Sequence, residues 1–276
     1  MANDLKRVKG DPPPNADEIL LIERRGWRRS GIQLGLVLFV ILLCAWLTDM
    51  LDVQRMSAGI PAIGTLLTEM FPPDFTEAES WVRPMVDTIA MSIAGTALSI
   101  VLSLPLGVLA ARNTTPNPTI YRIARGILNI FRSIPELIMG IVFVAAVGFG
   151  ALPGVLALGL HSIGMVGKFF SEAIEHSHDA PVEAARAAGA SQLQVITHGI
   201  LPQVMPQFAD VTMYRWEYNF RASTVMGMVG AGGIGLELIA SLRLMQYNEC
   251  FAILLTILVM VTIVDSLSTA LRKRFK

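Results

Sequence analysis

Cysteine is nearly absent: Cys44 and Cys250 are the two in 276 residues, and both lie in or beside apolar runs, where a thiol behaves as a small hydrophobe. No disulfide framework and no CxxC redox pair is implied. Charge is scarce as well, at 16% of residues against 53% apolar, and the formal net charge is zero. A nucleic-acid partner would need a basic stripe with interleaved aromatics, which the chain lacks. Too few polar residues remain to cover a soluble domain, so the composition leaves a polytopic, all-α membrane protein. Catalytic signatures are missing too: there is no P-loop lysine motif, no HExxH and no Ser/His/Asp set, so no catalytic residue is assigned. The string Gly230-x-Gly232-x-x-Gly235 has the letters of a dinucleotide fingerprint without the preceding strand or the βαβ unit that the chemistry needs. His176 and His178 stand beside Glu172 and Glu175 without cysteine partners, the pattern of a hydrated helix end rather than a metal site. His161 and His198 are solitary. No cofactor and no metal is expected on this chain.

What is present is long apolar sequence. Residues 1–29 are charged, carry Pro12-Pro13-Pro14, and read as a cytosolic amino-terminal tail rather than a cleaved leader. Spans are expected at about 30–50, 84–111, 126–149, 152–174, 204–229 and 250–271, each long enough at about 1.5 Å per residue to cross a hydrocarbon core of about 30 Å. The transmembrane domain thus covers 30–276. The third span must begin near Gly126 and carry Arg132, Pro135 and Glu136 inward, because the uncharged stretch before the turn at 148–154 is too short by itself. An outer segment at 52–83 contains a short amphipathic helix at about 60–70. The glycine-rich stretch from Gly227 to Gly235 reads as a bent or re-entrant element, tolerable at depth only where protein or water surrounds it. With these six spans, sixteen of the 22 Lys and Arg fall on the side of both termini; Arg55, Arg83 and Arg243 fall opposite, and Arg132, Arg215 and Arg221 lie within spans. Both termini are therefore expected in the cytoplasm, in the inner membrane.

Between residues 183 and 202 the chain reads EAARAAGASQLQVITHGILP, a polar, helix-forming island among apolar stretches. Asp179 can cap a first helix, Pro181 suits its first turn, Ala184 to Ala188 propagate it, and Gly189 stops it. Ser191 with Gln194 three residues on has the form of a capping box that starts a second helix. The alanines leave a narrow side able to enter a groove of a partner, with Glu183 and Arg186 as polar anchors; an ordinary amphipathic loop is the plainer alternative.

The island resembles the EAA loop of integral membrane permeases of ABC importers: Glu183-Ala184-Ala185, then Gly189, then Leu201-Pro202 thirteen residues after that Gly stand at the family's spacing. One departure is Gly199, where that pattern has Ile, which predicts an earlier break in the second helix. From about Phe71 onward the chain is similar to permeases for phosphonate uptake, on Phe71-Pro72-Pro73-Asp74-Phe75, Arg132-Ser133-Ile134-Pro135-Glu136, Pro153-Gly154-Val155-Leu156-Ala157-Leu158 and the run from Ala222 to Gly235. The resemblance implies a type I ABC importer permease fold of six transmembrane helices. It also implies a homodimer with a second permease copy, two cytosolic ABC ATPase subunits that carry ATP and Mg, an extracytoplasmic substrate-binding protein, and a phosphonate-like anion as cargo. Glu183, Ala184, Ala185, Gly189, Leu201 and Pro202 would then be the ATPase-coupling residues, and the outward loops near 52–83 and 229–249 would receive the binding protein.

Charges inside spans usually face a bundle interior or a wet path. Arg132 with Glu136, and Glu217 with Arg221, are each four residues apart, a spacing that lets opposite charges pair on one helix face. Two readings fit: the arginines line an anion's route, or each pair neutralises itself and braces the bundle. Ser223, Thr224, Gly232 and Gly233 complete the candidate translocation path, since unwound glycine backbone near the midplane can offer amides to an oxyanion or simply permit close packing. The competing class is a proton-coupled secondary transporter, with Glu136, Asp210, Glu217 and Asp265 as the relay and uptake sensitive to an uncoupler.

Overall fold

The computed structural model describes residues 16–275, so the tail expected at 1–29 lies outside the described residues up to residue 15. The chain divides between Leu66 and Leu67 into two compact units. The first contains α1 (Ala16–Leu47), whose part Arg29–Leu47 is long and apolar enough to cross a membrane. It also contains most of α2 (Val53–Glu69). That helix starts earlier than the expected 60–70, because the Asp52 carboxylate accepts the Arg55 amide proton at 3.0 Å and so caps it.

The second unit begins at Leu67 and is built of α3 (Val82–Leu109), α4 (Pro118–Ser133), α5 (Glu136–Val147), α6 (Ala151–Glu175) and α7 (Asp179–Ala187). A one-turn α8 (Gln192–Gln194) and a π-helical turn (Val195–Ile200) lead into α9 (Leu201–Met226), a 3-10 turn (Gly227–Val229), α10 (Ile234–Arg243) and α11 (Tyr247–Phe275). Among the described residues no strand occurs, and four helices are long and apolar enough to cross a membrane. Two bent pairs bring the count to as many as six if each is one span: α4 with α5, bent by 86°, and the run 192–229 with α10, bent by 44°.

The first of these pairs corrects the expectation of one continuous span at 126–149. Helix α4 starts at Pro118, where Asn117 accepts the Ile120 amide at 2.8 Å, and it ends at Ile134 in extended geometry. Pro135 is the reason: it lacks the amide proton that would continue the helix, and it disfavours helical backbone in the residue before it. Arg132 therefore closes one helix while Glu136 opens the next.

Helix α6 is the centre of this unit. Glycines on both sides of its seams let α3 and α4 approach it closely, the small-residue packing that replaces the hydrophobic drive between helices in lipid. A methyl group built on Gly95 of α3 would stand 3.1 Å from Leu158 Cβ, and one on Gly107 would stand 2.9 Å from Phe170 Cβ. On another side, a methyl group on Gly164 would meet the Leu128 carbonyl oxygen at 2.6 Å and the Arg132 nitrogen at 2.7 Å, both backbone atoms of α4. Beside this packing runs a polar seam between α3 and α9: Trp216 Nε1 donates to Ser92 Oγ at 3.2 Å, and Asn219 Nδ2 donates to Thr96 Oγ1 at 2.9 Å. Beyond α2, the segment ahead of α3 folds onto the start of α11, where Asn248 Nδ2 donates to the Pro72 carbonyl at 2.7 Å and Trp81 is buried against Ile234, Ala252 and Ile253. Within that segment, hydrogen bonds from the Thr76 hydroxyl and amide hold the Asp74 carboxyl below the usual carboxylate range.

Gly164→Ala pushes a methyl group into backbone that has no room to move, and we expect a loss of about 1–3 kcal/mol. Gly126→Ala on the facing helix meets nothing within 4 Å and should instead hold or gain stability through helix propensity. Thermal unfolding of the two variants in detergent distinguishes them; equal midpoints would contradict this packing.

Candidate functional site

The island at 179–202 folds as the nine-residue α7 followed by α8 and the π turn. Helix α7 is preceded by His178, not capped by Asp179 as expected; Asp179 sits inside the first turn with no capping hydrogen bond from the side chain of His178. The helix closes in a Schellman arrangement, with Ala190 N donating to Ala185 O at 3.1 Å and Gly189 N to Arg186 O at 3.0 Å. Gly189 has φ +77, the left-handed conformation that such a closure requires and that a side chain disfavours. Ser191 and Gln194 make the reciprocal capping box. The earlier break expected from Gly199 does not occur. Instead the chain widens into the π turn and passes unbroken into α9, and Gly199 lies 3.5 Å, from the place its missing Cβ would take, to the Pro181 carbonyl and Val182 Cα. A branched side chain there would push α7 away.

Burial divides the island into two faces. Val182, Val195 and Ile200 are buried with Phe170, Ala173 and Ile174 of α6 and Phe208 of α9, and Ala185 and Leu201 pack at the edge. Glu183, Ala184, Arg186, Ala187, Gly189 and Pro202 are exposed, and Leu193 beside them is 70% exposed. Gln203 ties this unit to α9, accepting from His178 N at 3.0 Å and donating to Gly199 O at 2.6 Å. At the end of α6, Glu175 accepts from Arg112 N at 2.9 Å and from Arg125 Nη2 at 3.1 Å, while Arg125 Nε donates to the Ala110 carbonyl. Tyr121 and the nearby Glu175 carboxylate raise the Arg112 pKa further above its ordinary value. The island is thus a braced knob with one apolar-lined base and one free alanine face.

At the far end of α9 lies the glycine turn. Twenty-six residues separate the two, about 39 Å at 1.5 Å per residue. Gly230, Gly232 and Gly233 all take positive φ, and a methyl group on Gly235 would overlap the Thr224 carbonyl oxygen. The turn is fastened to α3, since Ile234 N donates to Thr88 Oγ1 at 2.9 Å while Ser223 Oγ donates to Phe220 O at 2.7 Å and approaches Thr88 O at 3.3 Å. It also meets the turn before α6, where Gly150 N donates to Gly230 O at 3.2 Å. Ser223, Gly232 and Gly233 therefore come together; Thr224 donates its hydroxyl proton to the Arg221 carbonyl within α9.

Both expected i,i+4 ion pairs are corrected. Arg132 and Glu136 are parted by the 86° break, and Glu136 instead accepts from the Tyr218 hydroxyl at 3.0 Å with His161 Nε2 at 3.5 Å. Arg132 is exposed at the end of α4. Glu217 pairs with Arg272, and Arg221 pairs with Asp265 at 3.1 Å, so both acid–base contacts run from α9 to α11. Two of the four carboxylates of the expected proton relay, Glu217 and Asp265, thus already hold arginines. Sequence reasoning missed His161, Tyr218, Ser162 and Asn219 as members of buried polar contacts. Their signal was present in part, because Arg215 and Tyr218 are three apart on α9 and His161 and Ser162 interrupt an apolar helix.

With this geometry in place, comparison with known proteins is informative. The family model for the binding-protein-dependent transport system inner membrane component matches residues 103–276. The chain is 62% identical over 269 residues to the phosphite transport system permease protein PtxC of Stutzerimonas stutzeri, 98% of each chain. It is 40% identical over 229 residues to the phosphate-import permease protein PhnE of Mycolicibacterium smegmatis, covering 83% of this chain and 43% of that protein. Among solved structures, a chain of the MetNI methionine ABC transporter in inward-facing conformations superposes with TM-score 0.65 at 24% identity, over 74% of this chain and 99% of that one. The last likeness concerns fold alone.

Glu217→Gln leaves the Arg272 guanidinium beside a buried amide and should lower stability by up to about 3 kcal/mol, the lower end for breaking a buried pair. Reversing the other pair tests its register: Arg221→Asp should reduce folded yield, and Asp265→Arg added to it should restore yield and thermal midpoint. Restoration by Glu217→Arg instead would return the pairing to α9 alone.

Proposed function

This chain belongs to the family of binding-protein-dependent transport system inner membrane components, and from that membership we propose that it is the permease subunit of an ATP-driven importer of a phosphorus oxyanion. The observation that carries the substrate class is the 62% identity, across nearly the whole of both chains, to a protein named for phosphite transport. Phosphite is accordingly the first cargo to test, with phosphonate and phosphate as members of the same class. The protein performs no covalent step; ATP and Mg belong to a separate ATPase.

In this reading the exposed face of α7, with Glu183, Ala184, Ala185 at its edge and Gly189 at its end, enters a groove of the ATPase. Leu201 and Pro202 pass its displacement into α9. Supporting this are the free alanine face, the apolar base under it and the Gln203 clamp. In the same reading this face, both termini and the α11 end lie in the cytoplasm, which the bias of Lys and Arg supports. Two permease copies with two ATPases would form the complex, and an extracytoplasmic binding protein would deliver cargo at the opposite end, near the glycine turn. Candidate path residues remain Arg132, Glu136, Glu217, Arg221, Ser223, Thr224, Gly232 and Gly233; the pairing of Glu217 and Arg221 to α11 favours a bracing role for those two.

Vesicles containing permease, ATPase and a loaded binding protein should take up phosphite only with ATP inside reach of the ATPase, and an uncoupler should leave uptake unchanged. Uptake by the permease alone, or uptake abolished by an uncoupler, would overturn the assignment. Gly189→Trp and Glu183→Arg should leave the permease inserted while co-purification with the ATPase and uptake fall by tenfold or more, the equivalent of about 1.4 kcal/mol at the docking contact. Normal uptake by both variants would remove α7 as the coupling element.

A further inference from the structure

The most unusual cation in the second unit is Arg215. It is the fifteenth of the 26 residues of α9, so it sits near mid-height of a helix long enough to cross the bilayer, and it is only 1% exposed. Its neighbours on α6 are equally central, Ser162 being the twelfth of 25 residues. Taking a guanidinium out of water costs several kcal/mol unless it is paired and fully hydrogen-bonded. Arg125, Arg221 and Arg272 each meet a carboxylate, yet among the described residues no ion pair includes Arg215.

Its hydrogen bonds are arranged unevenly. Nε donates to Ser162 Oγ at 2.7 Å, and the guanidinium carbon lies 4.2 Å from the centroid of the Tyr218 ring, so one edge and one face are fixed. The other edge is open: Nη1 reaches only the Met165 thioether at 3.5 Å, a weak acceptor, and Nη2 has no acceptor. Those two nitrogens form the planar fork that matches two oxygens of a carboxylate or phosphorus oxyanion. Close by, Ser162 also donates to Asn219 Oδ1 at 3.0 Å, and Asn219 reaches Thr96, so the hydrogen-bonded neighbours on this side are neutral hydroxyls and an amide. Such a set can bind an anion without a permanent counter-ion competing for the fork. Glu136 is the nearby carboxylate, close enough for its charge to act on Arg215, but it is held by the Tyr218 hydroxyl and His161 and makes no ion pair with the guanidinium.

Resting on the importer reading above, we propose that Arg215 is the residue that contacts the translocated anion at mid-membrane, taking two oxygens of a tetrahedral phosphorus oxyanion through Nη1 and Nη2 as α6 and α9 part around it. Ser162 and Tyr218 hold the guanidinium in aim, and the thioether is the placeholder that the anion displaces. A single cation, its charge partly offset by nearby Glu136, also keeps the contact weak enough for release, which conduction through a path requires. Arg132 and Arg221, favoured by spacing, give way to a residue whose donors are unfilled.

The test uses the whole complex in vesicles, with phosphite as the probe. Arg215→Gln should keep the permease assembled with its ATPase and keep ATP hydrolysis, while uptake falls about 10- to 100-fold, the worth of the one charge-assisted hydrogen bond that an amide cannot replace. Arg215→Lys, a point charge without the fork, should retain partial uptake with a raised KM. Met165→Glu supplies a resident carboxylate to the open edge; it should raise the thermal midpoint and abolish uptake, and it keeps the proposal testable if Arg215→Gln does not assemble. Phosphite uptake by either Arg215→Gln or Met165→Glu within twofold of the unaltered complex overturns the proposal while leaving the importer reading intact. Absence of phosphite, phosphonate and phosphate uptake by the unaltered complex overturns that reading and this assignment with it.

Discussion

The close approach of α6 to its neighbours is the constraint on which the rest of the second unit depends. In lipid, apolar side chains gain little by leaving one apolar surface for another, so stability has to come from contact between surfaces that fit. Helix α6 provides this on several sides at once. Gly159 faces Leu98 of α3, Gly164 and Gly167 face α4, and Ser162 faces α9. Because the glycine contacts are with backbone or with side-chain carbons held at the seam, they fix the rotation of α6 about its own axis. That rotation sets the two positions that matter most: Ser162, which aims Arg215, and Glu175, which ties the end of α6, just ahead of α7, to Arg112 and Arg125.

Helix α9 is held differently. Its seam with α3 is hydrogen-bonded, through Ser92, Thr96 and Thr88, and its seam with α11 is ionic, through Glu217–Arg272 and Arg221–Asp265. It carries the island at its first residues and the glycine turn at its last. A push on α7 reaches α9 through Leu201 and Gln203, and no loop intervenes before Met226. The glycines at the far end matter for the same reason. With positive φ at Gly230, Gly232 and Gly233, the chain reverses within a few residues while Ile234 N still finds Thr88. The ends of one rod are thus tied to separate elements, the α7 knob at one end and, at the other, a turn packed against α3 and the start of α6.

Much of this was legible in the sequence, and for identifiable reasons. The all-helical membrane character follows from composition, and the island's caps follow from Ser191, Gln194 and Gly189, because capping is decided within four or five residues. The glycine turn was legible for the same local reason. Proline at 135 is visible too, but a continuous third span requires the helix to run through it, whereas the backbone obeys the proline. Asp52 as the cap of α2 is an ordinary signal of the same local kind, lying eight residues ahead of the helix expected at 60–70. The start of α7 shows the converse, since Asp179 looks like a cap yet already belongs to the helix.

Charge pairing was not legible, and the reason is geometric. Spacing of four residues makes a pair possible on an isolated helix, where water competes for each charge and the nearest partner prevails. In a packed bundle the neighbour across the seam is as near as the neighbour along the helix. Glu217 and Arg221 both find partners on α11, 55 and 44 residues away in sequence, and bonds across the seam hold two helices where an i,i+4 bond would hold none. The same comparison isolates Arg215. A sequence shows that a cation lies inside a span, and a hydrophobicity argument gives it a cost, but neither can show that its carboxylate partners are engaged elsewhere. Once Glu136 is taken by Tyr218 and His161, and Glu217 by Arg272, the buried fork of Arg215 is distinguished by what it lacks, and a transported anion is the acceptor whose chemistry it fits.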